Sequence, residues 1–127
     1  MNSSKNRKIL VIEDEATLQR ALNEVLSKEG YEVVSALDGL KGLELVQREN
    51  PDLILLDIIL PKMDGFEVLK KIKENGEISK IPIIILTNLS DVNDIQKALD
   101  LGATTYLVKA DFHIEDVLKK IEKVLSI

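Results

Sequence analysis

Short apolar runs alternate with amphipathic segments five times along this chain, and that alternation narrows its fold more than any other feature. Lys8 to Ile12, Tyr31 to Ala36, Asp52 to Leu56, Pro82 to Leu86 and Thr104 to Val108 have the length of strands rather than helices. Between them lie stretches with apolar residues at helical spacing. The first, 15–29, places Leu18, Leu22, Val25 and Leu26 on one side. The others run from Asp38 to about Glu49, then 66–74, 91–101 and 113–125. Gly30 and Gly102 stop the first and fourth as C-terminal glycines do, and Asn50-Pro51 stops the second. A βα unit repeated five times implies a parallel sheet with helices on both faces. Right-handed crossovers then restrict the topology to a doubly wound five-stranded sheet.

With 127 residues the chain fits one domain. Residues 1–7 read as a short N-terminal segment and 8–127 as the domain, with no linker and no second domain expected. There is no cysteine, which excludes disulfides and thiolate metal sites. No apolar run approaches the roughly 18 residues of a membrane helix. The polar start, Met1 to Arg7, has no apolar segment behind it like that of a signal peptide. The expected location is therefore the cytoplasm. A net charge of -5 argues against nucleic acid binding through charge. Two Tyr, two Phe and no Trp leave no stacking platform for single strands.

The polar residues gather at one kind of place. Glu13 and Asp14 follow the first strand, Asp57 ends the third, Thr87 the fourth and Lys109 the fifth. Open α/β sheets bind ligands outside the carboxyl ends of their strands, so these five residues converge on one edge. Three carboxylates packed together repel one another. A hard divalent cation relieves this, and Mg²⁺ suits oxygen ligands, water and a phosphate oxygen. An Asp carboxylate can attack phosphorus to form an aspartyl phosphate. The metal and a lysine would neutralise the equatorial oxygens, and Thr87 could donate a hydrogen bond to the bound phosphoryl.

Four pieces of the chain, at this βα spacing, resemble the receiver domain of two-component response regulators: Ile9-Leu10-Val11-Ile12-Glu13-Asp14-Glu15, Asp57-Ile58-Ile59-Leu60-Pro61-Lys62-Met63-Asp64-Gly65, Ile85-Leu86-Thr87 and Tyr106-Leu107-Val108-Lys109. The resemblance spans nearly the whole chain. It implies a flavodoxin-like (βα)5 fold with strand order 2-1-3-4-5. It makes Asp57 the phosphoacceptor, with Mg²⁺ held by Asp14, Asp57 and the backbone carbonyl of Ile59, and by Glu13 through water. Lys109 would pair with Asp57 or its phosphoryl group. Thr87 would move to the phosphoryl and Tyr106 would swing in behind it, reshaping the face of helix four, strand five and helix five. Such a protein is a phosphoacceptor that assists its own transfer and dephosphorylation rather than an enzyme. The implied donor is a phosphohistidine on a sensor kinase or phosphotransfer protein, and a homodimer through the reshaped face is a further implied partner. A stand-alone, chemotaxis-regulator-like receiver is expected, the alternative being a piece of a longer regulator.

Two positions depart from the family pattern. Pro usually follows the site lysine, often after a cis bond, but here Ala110 does. Lys109 must still reach the acids, which predicts a cis Lys109–Ala110 bond despite the ~2.5–4 kcal/mol it would cost. The run Ala110-Asp111-Phe112 also looks one residue longer than usual. Thr87 is followed by Asn88, where relatives carry a small residue. Asn88 is expected to shield the phosphoryl, with Ile59 as a second residue governing access.

Each residue also has a plainer reading. Asp57 can end a strand at a turn, Glu13 and Asp14 can favour a helix N-terminus, and Tyr106 can be ordinary strand packing. Lys109 can be a solvated surface lysine. Asp64-Gly65 reads as a turn opening the third helix, and His113 as a capping or surface residue. Among rival functions, an Asp-nucleophile phosphatase of the haloacid dehalogenase type needs a second Asp where Ile59 stands. A flavodoxin-like cofactor carrier needs a phosphate-cradling loop where acids stand. A degenerate receiver used only as a protein-binding scaffold is disfavoured by the intact acids, Thr87 and Lys109.

Overall fold

The computed structural model describes residues 7–88, 92–111 and 113–126. The expected N-terminal segment falls almost wholly outside them, as do the expected start of the fourth helix at Asp91 and the loop residue Phe112. In chain order the elements are β1 (Lys8–Ile12), α1 (Ala16–Lys28), β2 (Glu32–Ala36), α2 (Gly39–Glu49), β3 (Leu53–Asp57), α3 (Gly65–Glu74), β4 (Ile83–Thr87), α4 (Val92–Asp100), β5 (Thr105–Val108) and α5 (Ile114–Leu125). All strand pairs are parallel, in the order β2-β1-β3-β4-β5.

Strand parity sorts the core into two layers. Leu10, Ile12, Ile54, Leu56, Ile83 and Ile85 pack with Leu45 and Val46 of α2, Val68, Leu69 and Ile72 of α3, and Ala98 of α4. Their neighbours Ile9, Val11, Leu53, Leu55, Ile84 and Leu86 pack on the other face with Leu22 and Leu26 of α1 and Val117 and Ile121 of α5. Because side chains alternate along a strand, a central strand covered on both faces is apolar along its length, here up to Asp57 and Thr87, which end β3 and β4. β3 and β4 accordingly have every residue buried. Each fully buried Leu or Ile contributes about 1.5–3 kcal/mol relative to exposure.

The helices begin where polar side chains replace missing backbone partners. Asp38 accepts from the Lys41 N–H at 2.7 Å and starts α2, and Asp64 accepts from the Glu67 N–H at 3.0 Å and starts α3. The His113 N–H donates to the Asp116 carboxylate at 2.8 Å, so His113 sits at the start of α5 as a capping residue. No helix among the described residues is long and apolar enough to cross a membrane.

Candidate functional site

The five residues singled out in the sequence meet at the carboxyl edge of the sheet, but their pairing is richer than expected. Glu13 directly follows β1 and is fully buried. Its N–H donates to the Ala36 carbonyl at 3.0 Å, which extends the β1–β2 ladder one step past Ile12. Gln19 braces the same step, donating its side-chain N–H groups to the carbonyls of Glu13 at 3.1 Å and Ala36 at 2.8 Å. Asp57, the last residue of β3, is 4% exposed. Its Oδ1 accepts the Ile59 N–H at 3.3 Å.

Lys109 joins these two acids. Its Nζ stands 2.9 Å from Asp57 Oδ2 and 2.7 Å from Glu13 Oε1. The Asp57 pair was expected; the Glu13 pair was missed. Parity contains the signal. Asp57 has the parity of Leu55 on β3, and Glu13 and Lys109, the first residues past β1 and β5, keep the parity of Val11 and Leu107, so all three fall on the α1–α5 side. Thr87 and Tyr106 have the opposite parity. They line a narrow cavity on the α4 side with Ile58, Ile85, Ile95 and Ala98. Thr87 is buried, whereas Tyr106 is 37% exposed.

Burial raises the Glu13 and Asp57 carboxyls above their usual range, and contact with Lys109 only partly opposes it. Burial also works against the Lys109 ammonium, but its two acid partners outweigh it and its pKa is raised. One cation shared between two buried acids, with Asp14 close by, leaves an excess of negative charge. One oxygen each of Glu13, Asp14 and Asp57 lie within 4.8 Å of one another. Glu13 Oε1 is buried and is met by the Lys109 ammonium at 2.7 Å, a charge-assisted contact. An all-oxygen, under-neutralised cluster with one exposed member fits a hard divalent cation.

The loop after Asp57 is held from below. A Cβ on Gly65 would stand 2.4 Å from the Asp57 carbonyl oxygen, and the Gly65 N–H donates to the Ile58 carbonyl at 2.7 Å. The turn expected at Asp64-Gly65 is thus present, and only glycine fits it. Lys62 adopts φ 67 and places Nζ 3.7 Å from Asp38 Oδ2, tying this loop to the start of α2.

The cis bond expected after Lys109 is not formed. Among the described residues no peptide bond is cis. Lys109, Ala110 and Asp111 form a turn of 3-10 helix instead, and Lys109 reaches both acids from it. Without proline, trans is favoured by ~2.5–4 kcal/mol, and nothing in the reach of Lys109 requires otherwise.

Residues 9–122 match the family described as the response regulator receiver domain. The chain belongs to that family. Sporulation initiation phosphotransferase F of Bacillus subtilis strain 168 is 40% identical to this receiver over 122 residues, covering 96% of each chain. A protein named "Probable transcriptional regulator ycf27" from Porphyridium aerugineum is 42% identical over 128 residues. There the receiver covers 96% of this chain but 52% of the relative, so the chain spans about half the length of that protein. The chemotaxis protein CheY4 of Vibrio cholerae superposes with a TM-score of 0.87 at 32% identity, covering 94% of this receiver and 98% of that chain. The fold and strand order expected from the sequence are those of this receiver and its structural neighbours.

Proposed function

We propose that Asp57 accepts a phosphoryl group from a phosphohistidine donor, on a sensor kinase or phosphotransfer protein, and that Mg²⁺ assists. The observation that carries this reading is the buried Asp57 carboxylate held 2.9 Å from Lys109 and clustered with Glu13 and Asp14. Asp14 and Asp57 would hold the metal, with the Ile59 carbonyl beside them and Glu13 through water. When bound, the metal would neutralise charge on the phosphoryl oxygens.

The residues of the chain account for the rest. An oxygen of Asp57 forms the new P–O bond while the donor P–N bond breaks, and the imidazole nitrogen keeps that electron pair. Lys109 already faces Asp57 and offers its ammonium to a phosphoryl oxygen, so little reorganisation precedes transfer. Thr87 ends the neighbouring strand and would donate its hydroxyl to another oxygen. Its movement would open the cavity it lines with Ile58, Ile85 and Ala98, and Tyr106 stands at that cavity, ready to enter it. The signal would then be read on α4, β5 and α5 by a protein partner, or by a second copy of the chain. The protein would thus work in the cytoplasm as a phosphoacceptor that assists its own loading and hydrolysis.

Incubation with Mg²⁺ and acetyl phosphate, followed by intact-mass measurement, tests this. Wild type should gain one phosphoryl group and Asp57→Asn none. Loading that persists in Asp57→Asn would refute the assignment. Failure to load or to bind beryllofluoride would favour the scaffold reading.

A further inference from the structure

Lys109 has a third acidic neighbour that the transfer chemistry does not use. Glu15 Oε1 stands 3.8 Å from Lys109 Nζ, and the Glu15 side chain is 61% exposed. Its main chain is fixed to the site, because the Glu15 N–H donates to Glu13 Oε2 at 2.9 Å. Glu15 occupies the position just before α1, where a polar side chain usually accepts a backbone N–H of the first turn. It makes no such bond, and its carboxylate turns to Lys109 instead. The two lie in one open cleft with Leu18, Asn88, Ala110 and Ile114.

We infer that Glu15 is a solvent-side counter-charge on Lys109 that restrains loading of Asp57 by small anionic phosphodonors; this rests on the proposed phosphoacceptor role. The buried acids hold Lys109 from inside, at 2.7 and 2.9 Å. Glu15 holds it from outside, and its reach is longer and weaker. A donor must place a phosphoryl oxygen against this ammonium. It meets the Glu15 charge on approach and displaces that carboxylate on arrival. With an acyl phosphate the bond from phosphorus to the acyl oxygen breaks, the carboxylate leaves with the electron pair, and Asp57 takes the phosphoryl. The repulsion scales with donor charge and is screened by salt. Glu15 acts through Lys109 and through its field, so it is a positioning and selecting residue rather than a catalytic one.

The test compares wild type, Glu15→Gln and Glu15→Asp at saturating Mg²⁺, with acetyl phosphate, a dianion at neutral pH, and phosphoramidate, which carries one net negative charge. Glu15→Gln should raise the acetyl phosphate rate about two- to fivefold at low salt, the scale of an exposed ion pair. The gain should be smaller with phosphoramidate and should fade toward 1 M salt, where screening acts within about 3 Å. Glu15→Asp keeps the charge but shortens the reach, and should fall between the two. A Glu15→Gln rate equal to wild type, or a gain the same for both donors at every salt concentration, overturns the inference and leaves the phosphoacceptor role intact. A wild type that neither donor loads overturns both.

Discussion

Lys109 stands closer to Glu13, at 2.7 Å, than to Asp57, at 2.9 Å. The resting ammonium is thus shared between an acid that would accept the phosphoryl and one that would not. Breaking a buried pair by removing one partner costs about 3–5 kcal/mol. Lys109→Met strands two acids and should lose about 3 kcal/mol, the low end, because Asp14 leaves the cluster open to water. Urea unfolding with and without Mg²⁺ checks this: the added cation should recover more stability in the variant than in wild type.

Asp57 itself should oppose stability. Burial raises its pKa above the usual 3.8, with Lys109 partly opposing. A carboxyl with a raised folded pKa is worse off ionised in the fold than in the unfolded chain. The penalty is complete above the folded pKa, shrinks as pH falls through it, and is gone below the unfolded value. Asp57→Asn should therefore raise the thermal midpoint at neutral pH without divalent cation. Its advantage should narrow as the solution is acidified toward about pH 4.

Gly65 should tolerate no side chain. The atoms a Cβ would meet are the Asp57 carbonyl oxygen at 2.4 Å and Ile58 Cα at 2.5 Å, both backbone and unable to rotate away. Gly65→Ala should lose about 1–3 kcal/mol in denaturant unfolding. It should also slow phosphorylation by displacing the end of β3.

Lys62 carries the opposite kind of strain. A residue with a Cβ at φ 67 gives up roughly 1–2 kcal/mol that glycine does not. Part of any gain returns as greater freedom of the unfolded chain. Lys62→Gly should stabilise by about 0.5 kcal/mol net, the exposed pair with Asp38 being a minor loss. A chemical denaturation midpoint below wild type would contradict this.

Asn88 is exposed in the cleft that leads to Lys109. If it shields the phosphoryl, Asn88→Ala should speed both loading by acetyl phosphate and later hydrolysis. About 1 kcal/mol off each barrier would be roughly a fivefold effect. Stopped-flow loading and decay of the phosphorylated protein measure the two separately.

The layout of the fold was legible because period and length agree. The all-apolar runs at β3 and β4 are too short for helices, and every residue in them is buried. The converging strand ends placed Glu13, Asp57, Thr87 and Lys109 on one edge without coordinates. Partner choice within that edge was harder to read. Strand parity already assigns Glu13 and Lys109 to one side, but the 2.7 Å contact also depends on the step from Ile12 to Glu13, which Gln19 braces from the next helix. The turn after Lys109 was misread because the reach of Lys109 to the acids was taken to need the cis bond that goes with the family's proline. Its absence removes the reason for a cis bond, and a turn of 3-10 helix does the positioning.

The middle of the sheet and its β5 edge differ in how firmly they are held. β3 and β4 are buried along their whole length. β5 is a partly buried edge strand, and among the described residues of α4 only Ala98 is buried. In hydrogen exchange the amides of β1, β3 and β4 should therefore open only with global unfolding, while those of β5 and α4 open through smaller excursions. On that pattern, the group that would receive the phosphoryl and the surface that would report it would belong to different cooperative units. Thermal fluctuation would then open the reporting surface many times without disturbing the acceptor.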